Sequence, residues 1–318
     1  MLLELTNDNI IFAPGQEQVN IHPPILRTRD IHNHHMNSRA WDAINFRPDD
    51  IVISTYAKSG TTWMQQIVSQ LIFKGEEGLN VSAMSPWVDL RIMPPEALAA
   101  LDQQPHRRFL KTHLPVDALR FSPQAKYLYV ARDGRDVVWS LYNHHVNANQ
   151  AWYDSLNNTP GRVGPAIGRP PEDVVTYFTE WLEGDGAPFW SFWENVRSWW
   201  TVRELPNVKM VHFNDLKRDL EGTVRSIAHH LEIDVDKTTF QKVIDHCSFA
   251  YMKEHAEQAA PLGGALWEGG AKTFINKGTN GRWKDILPAD ISAAYETRAR
   301  RELGEACAAW LKDGGPVR

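Results

Sequence analysis

The sequence predicts an α/β fold with a mostly parallel central sheet flanked by helices, and three observations carry that expectation. From Ile51 onward, short β-branched runs alternate with helical stretches, the pattern of parallel strands joined by crossover helices. One such run, Asp50 to Ser54, leads through a glycine turn straight into a helix. Three polar motifs follow predicted strands, and open α/β sheets place their ligands at the carboxyl ends of strands. The chain has 318 residues, 42% of them apolar, enough for a substantial core. It shows no internal repeat and no clear linker, so a single domain over 1–318 is expected.

In chain order, residues 1–45 are polar, with Pro23, Pro24 and a histidine-rich stretch at His32, His34 and His35. No acidic or cysteine partner sits nearby at metal-ligand spacing, so a solvated segment is expected. The first strand, Ile51–Thr55, runs into Lys58-Ser59-Gly60-Thr61-Thr62-Trp63 and then a helix over Met64–Phe73, with Ile67, Val68, Leu71 and Ile72 at helical spacing. A strand, a tight turn and a helix N-terminus collect backbone N–H groups around an anion. Lys58 adds a cation and Ser59, Thr61 and Thr62 add donors, so a phosphate- or sulfate-like group is the natural guest. The turn is not a Walker A loop, because its lysine precedes the glycine and no glycine stands at the required distance upstream.

The second strand, Arg108–Thr112, ends in Lys111-Thr112-His113-Leu114-Pro115. Residues two apart on a strand share a face, so Lys111 and His113 point to one side. His113 is therefore the best general-base candidate among 13 histidines. The third strand, Lys126–Ala131, delivers Arg132 to an Asp133-Gly134 turn, and a helix from about Arg135 carries Ser140. A guanidinium beside a hydroxyl suits a terminal phosphate dianion; the alternative is a capping aspartate with a structural Arg–Asp pair. The stretch 147–206 breaks the rhythm with a Gly/Pro-rich loop (Thr159 to Pro171) and six of the chain's 13 tryptophans. It fits a lid or core packing, with packing the commoner role of such rings. A fourth strand is expected at Val208–His212, followed by a helix from about Thr223. The Gly-rich stretch 263–284 includes Asn276-Lys277-Gly278, which suits a flap closing over a phosphate. A last helix, about Pro288 to Trp310, is expected against the sheet's edge.

Together these motifs resemble the cytosolic sulfotransferase family, in the family's order and at compatible spacings over about residues 40–290. The resemblance implies a P-loop-like three-layer fold and 3′-phosphoadenosine 5′-phosphosulfate as sulfuryl donor, with no metal required. Carried over, it implies that Lys58, Ser59, Gly60, Thr61 and Thr62 hold the 5′-phosphosulfate while Trp63 stacks on the adenine. Arg132 and Ser140 would bind the 3′-phosphate, joined by Lys277 and Gly278, and Ser248 would contact the nucleotide. Asn276 stands where the family often has arginine, which lowers the flap's charge. Phe213 stands where many relatives have tyrosine, and offers packing only. In the transfer itself His113 would be the base, Lys58 and Lys111 would neutralise charge, and Ser140 would hold Lys58 aside until an acceptor arrives. The dimerisation motif of the animal enzymes is not evident. The acceptor would be a small, aromatic or hydrophobic hydroxyl or amine compound, with Trp87, Tyr142, Trp152 and the tryptophan-rich segment as candidates for its apolar cup, lid packing being the alternative; a bulkier glycolipid also fits.

A net charge of −5 argues against a dedicated nucleic-acid binder. The two cysteines, Cys247 and Cys307, offer no disulfide framework and fit a reducing compartment. No run approaches the roughly 18 apolar residues of a membrane span, and no signal-peptide pattern opens the chain, so a cytoplasmic location is expected. Two rivals remain at this level. A nucleotide kinase would need magnesium and a Walker-type loop, and a catalytically silent nucleotide-binding module would bind without turnover.

Overall fold

Four parallel strands build the sheet: β1 (Ile51–Thr55), β2 (Phe109–Thr112), β3 (Lys126–Ala131) and β4 (Val208–His212), in the spatial order β2-β1-β3-β4. The computed structural model describes residues 25–317. Alternate strand residues feed two separate cores. Val52, Leu110, Tyr127 and Tyr129 pack on one face, and Ile51, Ile53, Phe109, Leu128 and Val130 on the other. Burial on both faces explains why these strands read as β-branched and aromatic runs. The outcome is the expected three-layer α/β arrangement.

On the second face lie α1 (Thr61–Ile72), α7 (Leu220–His230) and α8 (Lys237–His246), through Met64, Ile67, Val68, Leu71, Val224, Ile227, Phe240 and Val243. The first face is covered by α2 (Gly134–Val146), α3 (Gln150–Asn158), α4 (Val174–Glu183), α5 (Phe192–Thr201) and the C-terminal helix α10 (Ala289–Leu303). Short helices α6 (Phe213–Arg218) and α9 (Phe249–Glu254) fill the connections after β4 and α8, and α11 (Glu305–Asp313) closes the chain.

Several expectations need correction. His34 and His35 are buried, at 7% and 5% exposure, not solvated; the aromatic side chains of Trp87, Trp152, Phe189 and Trp190 close over His35. Residues 1–24 of the polar N-terminal segment, with Pro23 and Pro24, lie outside the described residues. The last helix is two, because Gly304 at φ +76° interrupts it, and α10 packs on α5 instead of the sheet edge. Its successor α11 does reach that edge, where Leu311 O meets His212 Nε2 at 2.9 Å. The helix expected from Thr223 begins earlier, at Leu220, because the Asp219 side chain accepts from Gly222 N at 2.8 Å. The tryptophan-rich segment divides its labour. Trp181, Trp193 and Trp199 are fully buried, with Trp199 stacked on Tyr129 at 5.4 Å, whereas Trp152 and Trp190 line a cavity. No helix among the described residues is long and apolar enough to cross a membrane.

Candidate active site

The carboxyl ends of β1, β2 and β3 open into one continuous cavity of about 270 Å³. The turn after β1 contributes Lys58, Gly60, Thr61, Thr62 and Trp63 to its wall. Gly60 starts α1 at φ +118°, and a Cβ there would sit 2.9 Å from the Phe213 ring. Both the backbone conformation and the close approach require glycine. Thr61 Oγ1 is tied to Thr55 Oγ1 at 2.7 Å, and Trp63 Nε1 donates to Cys247 O at 2.8 Å, fixing the indole beside Phe213. The Lys58 ammonium lies 4.3 Å from the centre of the Phe274 ring. Burial, with help from Lys111 and Arg132, pushes its pKa down to about 7.

From the end of β2 come Lys111 and His113. Lys111 Nζ sits 4.8 Å over the Trp87 ring, and burial lowers its pKa to about 8 against the opposing charge of Asp89. His113 Nδ1 is 2.7 Å from Thr55 O. A carbonyl can only accept, so Nδ1 carries the proton and Nε2 is the basic nitrogen. Burial, then the Lys111 charge, holds His113 well below the usual histidine value and therefore neutral.

From the end of β3, Arg132 lies 4.3 Å over the Phe213 ring. Its Nε and Nη2 donate to Asn280 Oδ1 at 2.9 and 2.6 Å, and Nη2 also donates to Thr279 O at 3.0 Å. Burial lowers its pKa to about 10. The structural Arg–Asp pair weighed from sequence does exist, but Arg135 takes it: Asp133 caps α2 and binds the Arg135 guanidinium at 2.6 Å. That leaves Arg132 to the cavity, which Ser140, one α2 residue among several, also lines. The flap adds Asn276, Lys277 and Gly278 to the same wall. Gly278 has φ +60°, and a Cβ would meet the Phe249 ring at 2.5 Å.

Three sequence candidates fall outside. Ser59 is buried behind the turn and its Oγ has no hydrogen-bond partner. Ser248 caps α9, its Oγ accepting from Tyr251 N at 3.2 Å. Tyr142 turns away, its hydroxyl bonded to Glu172 O, and is absent from the cavity wall that Trp87 and Trp152 help to form.

Other residues were missed. Asn280 holds Arg132 from 148 positions away, and its place between Gly278 and Gly281 in the flap was the one available signal. Asp89 is buried and accepts from Trp41 Nε1 at 3.0 Å and Trp87 Nε1 at 2.7 Å; burial raises its pKa. It fixes the indole against which Lys111 and His113 both lean. His35, His144 and Phe189 also line the cavity, outside any motif, beside Trp190 of the tryptophan-rich segment. No group of three or more histidine, cysteine or acidic residues with metal-site geometry occurs among the described residues.

Residues 48–306 match the family model described as a sulfotransferase domain. A glycolipid sulfotransferase of Mycobacterium bovis is 29% identical over 298 residues, covering 86% of this chain and 91% of the relative. Mouse sulfotransferase 1B1 is 30% identical, covering 80% of this chain and 83% of its own length. Among solved structures, mouse sulfotransferase SULT7A1 complexed with PAP superposes with a TM-score of 0.67 at 20% identity, over 86% of this chain and 92% of that one. A retinol dehydratase in complex with androsterone and the inactive cofactor PAP superposes at 0.63 and 21% identity, over 84% of each chain. These structural likenesses bear on the fold, which they share; the family match spans most of the sequence. With that match, this chain belongs to the sulfotransferase family and is an enzyme of that class.

Proposed function

We propose that the protein moves a sulfuryl group from 3′-phosphoadenosine 5′-phosphosulfate to a hydroxyl or amine of a small, aromatic or hydrophobic acceptor. One observation carries this reading: Lys58, Lys111, His113 and Arg132, delivered by three neighbouring strand ends, all line a single cavity with an apolar far wall. The residues present fit the donor. The β1 turn offers the amides and hydroxyls of Gly60, Thr61 and Thr62 for the 5′ end, and buried Arg132 with Ser140, Lys277 and Gly278 suits the 3′-phosphate. Trp63 and Phe213 flank the space between as adenine contacts. The solved relatives bound to PAP support the same choice of donor.

The donor, when bound, supplies a sulfur centre whose bond to the 5′-phosphate breaks as the acceptor oxygen bonds to it. His113 Nε2 takes the acceptor's proton, and the Thr55 carbonyl stabilises the resulting imidazolium through Nδ1–H. Lys58 and Lys111 carry the charge on the sulfuryl oxygens and the departing phosphate. Ser140 is suited to hold Lys58 aside before the acceptor arrives. Trp87, Trp152, Phe189 and Trp190 form the apolar cup for the acceptor. The test is incubation with sulfur-labelled donor and a panel of phenols, alcohols, amines and glycolipids. Label should pass to an acceptor, and PAP should raise the melting temperature more than ATP with magnesium. A preference for ATP would favour phosphoryl transfer, and PAP binding with no labelled product would leave a silent module.

A further inference from the structure

We propose that His35 is a second recognition group in the acceptor cup, taking a hydrogen bond through Nε2 from a second hydroxyl, so that the favoured acceptors are rigid aromatic diols. This rests on the proposed reading of the cavity as an acceptor site.

The argument runs through a chain of proton positions. His34 Nε2 lies 2.5 Å from Pro188 O, and since a carbonyl only accepts, that nitrogen bears a hydrogen. In a neutral ring His34 Nδ1 is then a bare acceptor. It lies 2.6 Å from His35 Nδ1, which must therefore be the donor. His35 Nε2 is left as a lone pair. Both rings are held neutral: burial, aided by Arg91 and Arg162, keeps His34 below its ordinary value, and burial keeps His35 well below it. Among the described residues nothing hydrogen-bonds His35 Nε2, and the residue lines the cavity. Its lone pair is therefore open to the cavity, where a donor arriving with the ligand can meet it.

Its position suits that role. The His35 ring stacks on Trp87 at 6.1 Å and meets Trp190 at 5.7 Å; His113 meets the same two indoles at 4.6 and 5.7 Å. A flat acceptor lying on these indoles with one hydroxyl at His113 brings another part of its ring system towards His35. A purely structural histidine pair would instead be indifferent to what the acceptor carries.

The experiment compares kcat/KM for hydroquinone against phenol, and for a set of dihydroxynaphthalenes against the naphthols, after correcting for the doubled reactive group. At least one diol of suitable spacing should be preferred by about tenfold in the wild-type chain, chiefly through KM. His35→Phe should bring that ratio to about one, and His35→Gln, whose amide oxygen approaches the place of Nε2, should restore part of it. His34→Leu, which removes the partner of Nδ1 without touching the acceptor, should lower the ratio as well. Stabilisation by PAP reports that each variant is folded. A wild-type chain with no diol preference at any spacing overturns the inference without recourse to variants, and so does a preference that survives His35→Phe. If none of these compounds is sulfated while PAP still binds, the aromatic acceptor on which this inference rests is excluded and the inference falls with it.

Discussion

His113 and Lys58 illustrate how a buried site sets the chemistry of single residues. The Nδ1–H bond to Thr55 O at 2.7 Å fixes the tautomer of His113, so the nitrogen that can take a proton is the other one. Burial and Lys111 keep the ring neutral, which makes it a base at neutral pH without prior deprotonation. Removing a positioned base costs about 10²–10⁴-fold in rate. His113→Ala should therefore lose turnover on that scale while PAP binding, measured by calorimetry, stays within a few-fold; near-normal turnover would exclude His113 as the base. Lys58 makes a different prediction. Its pKa is depressed to about 7, chiefly by burial, so below that pH it already carries its proton. Above it the amine is neutral, and an anionic nucleotide favours the charged form. Binding of PAP should thus draw in protons at pH 8 and none at pH 6, and its affinity should fall as pH rises past about 7. Titration calorimetry in buffers of different ionisation enthalpy measures that uptake. Lys111, lowered to about 8, adds to the same trend, so Lys58→Met should reduce the uptake without abolishing it.

Among the elements, those written in local pattern were legible and those made by distant partners were not. β1, β3 and β4 occupy the residues expected, because strands packed on both faces are rich in β-branched, aromatic and other apolar side chains. The turn at Lys58 to Trp63 was legible from its own residues, because a strand-to-helix turn at φ +118° calls for glycine. The division of labour between Arg132 and Arg135 was not. Both flank Asp133, and which one pairs with it depends on Ser292 and Glu296, which take the Arg135 guanidinium at 3.0 and 2.9 Å from far along the chain. Ser248 has a local role that the sequence pattern did not single out, since a serine before a short helix caps that helix's own amides. The histidines at 34 and 35 read as a polar stretch because nothing nearby in sequence announces Trp87, Trp152 and Trp190, the rings that enclose His35. The acceptor cup is assembled from such long-range pieces, so its chemistry was the least legible part of the site.

Across the whole molecule, stability and chemistry occupy opposite ends of the sheet. The cavity sits at the carboxyl ends of the strands, while the residues entering β1 and β2 carry a fully buried ion pair. Arg108 donates through Nε and Nη2 to the two carboxylate oxygens of Asp50 at 2.8 and 2.6 Å, and both side chains are 0% exposed. Nη1 reaches Asp102 at 2.8 Å and Nη2 also reaches Asn45 O at 2.6 Å, so the guanidinium ties the two strand entries to the segment before β1. Removing one partner of such a pair leaves a buried charge uncompensated and costs about 3–5 kcal/mol. Partly exposed Asp102 can relieve some of that, since it stays beside Nη1. Asp50→Ala should accordingly lower the melting temperature by several degrees, at about 1.5 °C per kcal/mol for a chain of this length. Because the pair lies away from the cavity, KM for donor and acceptor should change less than twofold below the transition. Thermal melts and kinetics on the same preparation separate the two effects. A large rise in donor KM with an unchanged melting temperature would mean that the strand entries govern the site directly, and that the two ends of the sheet are not independent.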